Sequence, residues 1–176
     1  MDDELDHLLR AARADDATRS RASVVALREL AAEEATILGV LHDLADQWAR
    51  VRMSVRGMTR VGQVLEVWSG GVVLAGTGVE VLVRAAAIDV VSSPEGRRVH
   101  GDERSTPGRS WPALVHDRVE PSDEVELVVH GVSMRGRVLS IGVEVVVMLG
   151  ADGTTNYVRT DAIDSVVIAS DRARSS

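Results

Sequence analysis

From residue 50 onward the chain is a succession of short runs in which apolar and polar residues alternate. Val51, Met53 and Val55 fall on one side of the first run, and Arg50, Arg52, Ser54 and Arg56 on the other. This is the period of two that a half-buried β-strand requires. Gly57 to Arg60 predicts a tight turn before a second strand over 61–68. Ser69-Gly70-Gly71 leads into a strand over 72–75, Gly76-Thr77-Gly78 into one over 79–84, and Ala85 to Ala87 forms a brief helical turn before 88–91. Upstream the period changes. Leu5, Leu8 and Leu9 share one side of a short helix over 2–13. Leu27, Leu30, Ile37, Leu41, Leu44 and Trp48 keep helical spacing and predict a longer helix from about Ser20 to Gln47, with that stripe buried, Trp48 included. Gly39 sits inside this helix at a cost of about 1 kcal/mol relative to Ala. The stripe has two readings: it packs across the open end of the first set of strands, or it forms a short coiled coil between protomers.

The strand pattern occurs twice. At an offset of 74 residues, Val51, Val55, Gly57, Gly62, Val64 and Leu65 meet Val125, Val129, Gly131, Gly136, Val138 and Leu139. At an offset of 75, Val83, Arg84, Ala87, Ile88, Asp89 and Val91 meet Val158, Arg159, Ala162, Ile163, Asp164 and Val166. Paired glycines and an Arg-x-x-Ala-Ile-Asp block in the same order predict a duplicated unit of about forty residues, with Asp152-Gly153 as a hairpin turn in the second copy. Five short strands and a helical turn per copy predict a small closed barrel. The expected fold class is α+β, mainly β: N-terminal helices over 1–48, a first five-stranded barrel over 49–92, a linker over 93–118, a second barrel over 119–169 and a tail over 170–176. Residues 92–112, SSPEGRRVHGDERSTPGRSWP, read as a solvated spacer.

Composition narrows the chemistry. There is no Cys, which excludes disulfides and thiolate sites. The five His residues show no metal-ligand spacing, Gly76-Thr77-Gly78 precedes a strand rather than a phosphate-holding helix, and no nucleophile elbow is present. The expectation is a non-enzyme with no metal and no cofactor. The acidic start, MDDELDHLLR, is unlike a signal peptide, and the longest apolar run, VVVML, is far too short to cross a membrane; a cytoplasmic protein is expected, without membrane partners or an evident small-molecule substrate. The net charge of −7 is uneven. Residues 49–92 carry 5 Arg against 3 acids, net +2, and residues 119–169 carry 3 Arg against 8 acids, net −5.

A late Val-Arg-x-x-x-Ile-x-x-Val motif (Val83-Arg84 to Val91, Val158-Arg159 to Val166) and an early Gly-x-Val-Leu motif (Gly62 to Leu65, Gly136 to Leu139) resemble the Sm-like family of small barrels. By that resemblance Arg84 and Arg159 would line a uridine pocket, although the family's Asp and Met-Asn base-binding residues are replaced by Ser69-Gly70-Gly71 and Val143-Glu144. The overall layout is also similar to small proteins of high-GC bacteria labelled Fis-family transcriptional regulators; no helix-turn-helix accompanies it. On the outer face of the first strand, Arg50, Arg52 and Arg56 become Glu124, Glu126 and His130 in the second half, a sign reversal that would let unlike surfaces meet within or between chains. The leading expectation is a non-catalytic binding or assembly module acting through protein contacts or self-association, possible regulation included. The alternative is an RNA- or DNA-binding regulator using Arg50, Arg52, Arg56, Arg84 and Arg159.

Overall fold

The structure, a computed structural model, describes residues 35–93, 99, 101–102 and 106–169. Among these, helix α1 (Ile37–Asp46) precedes β1 (Arg50–Val55), β2 (Met58–Trp68), β3 (Gly71–Ala75), β4 (Val79–Arg84), a 3₁₀ turn (Ala85–Ala87) and β5 (Ile88–Ser92). Helix α2 (Trp111–Arg118) then leads into β6 (Glu124–Val129), β7 (Val132–Ile141), β8 (Val145–Gly150), β9 (Thr155–Arg159), a second 3₁₀ turn (Thr160–Ala162) and β10 (Ile163–Ala169). All ten strands belong to one sheet, in the order β5-β1-β2-β3-β4-β10-β6-β7-β8-β9, with every pair antiparallel.

This arrangement overturns the expectation of two tandem closed Sm-like barrels, and with it the duplication of a self-contained unit. The reason is the seam between β4 and β10. Five residue pairs run along it, from Ser165 opposite Val83 to Ala169 opposite Val79. β4 therefore spends its outer edge on the far end of the chain instead of closing a barrel with its own neighbours. The sheet stays open, with β5 and β9 as its two edges.

Burial explains why the seam forms. Val72 and Leu74 of β3, with Val81 and Val83 of β4, join Leu41, Leu44, Val51, Met53 and Val55 in one core. Val73 and Leu82 face the other way, into a second core with Trp111, Leu114, Val115, Leu127, Met148, Ile163 and Val166. β3 and β4 are thus covered on both faces, which is what a continuous apolar run such as GVVLA encodes. They form a wall shared by the two cores. Bulges between Val64 and Glu66 and between Val138 and Ser140 leave Leu65 and Leu139 out of register and add local twist. Two-residue turns at Arg56-Gly57 and His130-Gly131, with all four residues at positive φ, join β1 to β2 and β6 to β7 in the manner of type I′ hairpins.

The helical expectations also change. The helix over 2–13 and the first part of the one from Ser20 lie outside the described residues. The described part does not continue through residue 35: Thr36 is extended, and its Oγ1 accepts the Gly39 N–H at 3.0 Å, so the helix starts there with a side-chain cap. It ends at Asp46, two residues before Trp48. Trp48 lies beyond the buried stripe and is 74% exposed. The stretch 93–118 contains α2, whose Trp111, Leu114 and Val115 are buried. Among the described residues, no helix is long and apolar enough to cross a membrane.

Gly39 has a reason to be glycine. A Cβ there would lie 2.2 Å from the Gly101 carbonyl oxygen and 2.4 Å from that of Asp102, both backbone atoms with no room to move aside. Thr36 N–H also donates to the Gly101 carbonyl at 2.9 Å, and the Asp43 carboxylate accepts from the Gly101 N–H at 3.0 Å, so the segment around residue 101 is laced to α1. Helix propensity alone predicts that Gly39→Ala stabilises by about 1 kcal/mol. The structure predicts the opposite sign: Gly39→Ala lowers the thermal midpoint, and an increase in Tm by calorimetry would contradict this packing.

Candidate functional site

Two side-chain clusters tie the first five strands to the elements that follow them. At the seam, Arg60 of β2 reaches across to β6, where its guanidinium donates to Glu126 Oε1 at 3.0 Å. Arg135 of β7 donates to Glu126 Oε2 at 2.8–2.9 Å, and Arg60 Nε also approaches Ser165 Oγ of β10 at 3.4 Å. The Arg60 and Glu126 side chains are only 13% and 15% exposed. Burial works to raise the Glu126 pKa, but the hydrogen bonds and positive charges of Arg135 and Arg60 outweigh it, and the carboxyl is held below its ordinary range.

The second cluster fastens α2. Arg118 bridges Glu66 of β2 at 2.5 Å and Glu80 of β4 at 3.0 Å. Trp68 Nε1 donates to the other Glu66 oxygen at 2.9 Å, Arg109 lies 4.5 Å over the Trp68 ring, and Arg109 pairs with Asp117 at 3.1 Å. Glu66 is also held below the usual carboxylate range: burial opposes this, and the Arg118 and Trp68 hydrogen bonds prevail. At the other end of α2, Trp111 Nε1 donates to the Thr160 carbonyl at 3.0 Å. A Cβ on Gly70 would sit 2.2 Å from the Trp111 backbone nitrogen, so the start of α2 is seated directly on the β2–β3 turn. Both clusters clasp elements of the fold to one another.

The residues singled out in the sequence are dispersed. Arg50 and Arg52 project from the outer face of β1 and have no ion-pair partner among the described residues. Arg56 lies 3.9 Å from Asp164, whose buried carboxylate also accepts the Gly131 N–H at 3.1 Å. Arg84 donates to the Asp161 carbonyl, and Arg159 pairs with the Asp161 carboxylate at 2.6 Å, both side chains largely exposed. Arg84 and Arg159 thus converge on one 3₁₀ turn. Glu124 is exposed opposite Arg137, and Glu126 belongs to the seam, where its partner from the first half is Arg60, not Arg52. Among the described residues no group of three or more His, Asp or Glu is placed to hold a metal ion.

Among the described residues, shallow cavities open on the surface, three of which touch the residues discussed above. One of about 210 Å³ is lined by Val143, Glu144, Arg159, Thr160 and Asp161; another of about 210 Å³ lies among Glu124, Arg135 and Arg137. The largest of these three, about 340 Å³, is bounded by Trp48, Arg50, Gln63, Ala75, Gly76 and Thr77 and contains no carboxylate in its lining. Trp48 itself is unusual: its φ of 53° is left-handed, which costs a side-chain-bearing residue about 1–2 kcal/mol. Helical periodicity missed this corner because it counted Trp48 as the next buried turn. The signal that could have found it is the Arg50-Val51-Arg52 alternation, which begins a strand too soon for the helix to reach Trp48.

No protein-family model matches this chain, and no curated protein matches it. The likeness to Sm-like barrels and to Fis-labelled regulators therefore has no family match behind it, and the single open sheet replaces the architecture it implied.

At neutral pH Glu126→Gln removes the anion between two guanidinium groups and is expected to cost about 1–3 kcal/mol. Because the native pKa of Glu126 is depressed, its contribution is present above the unfolded carboxylate pKa and lost as pH falls through the native value. The Tm difference between wild type and Glu126→Gln should accordingly shrink on acidification. A difference that stays constant from neutral pH to below pH ~4 would show that the charge is not what Glu126 contributes.

Proposed function

We propose that the protein is a non-catalytic assembly module whose sheet continues from one chain to the next by pairing edge β9 with edge β5. What carries this reading is the state of the edges. The Gly150 N–H donates to the Thr154 carbonyl and the Thr160 N–H to the Glu144 carbonyl, each at 2.8 Å. Hydrogen-bonded and non-bonded pairs alternate in an antiparallel ladder. With the register between those two points, Asn156 and Val158 turn their backbone groups toward β8, and Thr155, Tyr157 and Arg159 turn theirs outward. An open row of donors and acceptors is a template for another strand.

The occupant that fits is a second copy. Within the chain, the β4–β10 seam already joins the fourth strand of the first group to the last strand of the second. Among the described residues the sheet ends at the last strand of the first group, β5, and the fourth of the second, β9, so a head-to-tail contact repeats the same kind of joint. The two ends are also oppositely charged, net +2 over 49–92 and −5 over 119–169, which favours unlike ends meeting. Such a contact is heterologous and produces a closed ring or an open filament.

Light scattering on the full chain is expected to give a mass above that of one chain, rising with concentration. Tyr157→Pro removes one outward N–H while leaving the β8 ladder intact, and should return the mass to that of a monomer with little change in Tm. A wild-type chain that is monomeric at its highest soluble concentration, or a Tyr157→Pro variant that assembles like its parent, overturns the reading.

A further inference from the structure

We propose that the Trp48 corner is a docking site for an acidic, amphipathic peptide segment of a partner protein. The site is separate from the edge pairing proposed above, and its test separates the two by mass.

The corner is built as a helix stop. The Trp48 N–H donates to the Ala45 carbonyl and the Ala49 N–H to the Leu44 carbonyl, each at 2.9 Å, the paired bonds that close a helix with a left-handed residue, most often glycine, just past its end. Tryptophan occupies that residue. It gains no burial in exchange, since its indole is exposed, and its backbone carbonyl is fixed by Gln63 Nε2 at 3.2 Å. The corresponding position two residues before β6 is also left-handed, and there it is Ser122; the backbone does not require an aromatic ring. A large apolar side chain held out in solvent, at a left-handed position that glycine would occupy without strain, points to recognition.

The surroundings define what is recognised. Arg50 and Arg52 follow on the same face of β1, and their cross-strand partners are Gln63 and Val61 on β2 and, for Arg52, Ser92 on β5. Val61 and Val90 on this face are exposed. The cavity beside Trp48 is lined by donors and apolar groups without a carboxylate. Two arginines without an ion-pair partner among the described residues, spaced roughly 7 Å apart along the strand backbone and set among one indole and two valines, match carboxylates alternating with aliphatic side chains. A nucleic-acid strand fits less well: successive bases call for successive aromatic platforms, Trp48 is the lone aromatic among the described residues of this face, and the chain as a whole is at −7.

The test uses the full chain and three fluorescein-labelled probes: a peptide alternating Glu and Leu, its Lys–Leu counterpart and an oligouridylate. By anisotropy the Glu–Leu peptide should bind, weaken as salt rises, and lose at least roughly ten-fold in affinity in Trp48→Gly and in Arg50→Glu. Trp48→Gly should unfold at the same or a higher temperature than wild type, and neither substitution should change the mass by light scattering. Equal binding of the Lys–Leu peptide, tighter binding of the oligouridylate, undiminished binding by Trp48→Gly, or a lowered Tm for that variant would each overturn the proposal. Because Arg50→Glu leaves the helix stop untouched, it keeps the proposal falsifiable even if the glycine variant misfolds.

Discussion

The backbone seam between β4 and β10 is the constraint from which the rest of this molecule follows. Once Val79–Val83 pair with Ser165–Ala169, β4 cannot close a barrel with its own group, and β3 and β4 acquire a second apolar face. That face is filled from the C-terminal half, by Val166, Ile163 and the α2 residues Trp111, Leu114 and Val115. Helix α2 is then held by what it covers. Its Arg118 reaches two glutamates on β2 and β4, and its Trp111 reaches the turn before β10. The fold is one sheet because its middle strands are needed by both cores.

Much of the strand pattern was legible. The alternation in Arg50–Val55 and the Asp152-Gly153 hairpin are local properties, set by side-chain period and turn chemistry; the turn expected over Gly57 to Arg60 instead falls at Arg56-Gly57, and β2 already starts at Met58. What was not legible is which edge pairs with which. Hydrogen bonding between β4 and β10 joins residues 82 to 90 apart, and nothing in local period carries that information. The one hint was the unbroken Val72-Val73-Leu74 and Val81-Leu82-Val83, which ask for burial on both faces, more than a small barrel with a solvated exterior provides. Helix α2 was hidden for another reason. It is only eight residues long, too short for a clear helical period, and it follows a run of Gly, Pro and Ser. Its markers were the Ser110-Trp111-Pro112 start and a basic last turn.

Of the candidate residues, charge and spacing in the sequence identified Arg50 and Arg52 as outward-facing, and the structure leaves them there. The sign reversal between the halves was visible too, but not its use: Glu126 turns to Arg60, a residue that counting along β1 could not single out. Trp48 shows the converse error. Periodicity treats a helix as continuing until something stops it, and the stop here is a backbone conformation, the left-handed φ at Trp48 itself, which tryptophan does not advertise in the way glycine would.

The seam within the chain and the contact proposed between chains differ in strength for a physical reason. The internal seam is backed by two cores and by the Arg60–Glu126 pair, whose charges are mostly withdrawn from water, so any slip of register strands a charge in a poor environment. Edge β9 has no such lock. The nearest ion pair, Arg159 with Asp161, is largely exposed and of a kind worth no more than about 1 kcal/mol, and Tyr157 stands 75% exposed. A chain-to-chain joint at this edge draws on backbone hydrogen bonds and a few side chains alone. The proposed contact is therefore expected to be concentration-dependent and reversible, while the intrachain seam is held by the packing of two cores: on this reading the same kind of strand pairing would serve once as architecture and once as a contact that can be made and broken.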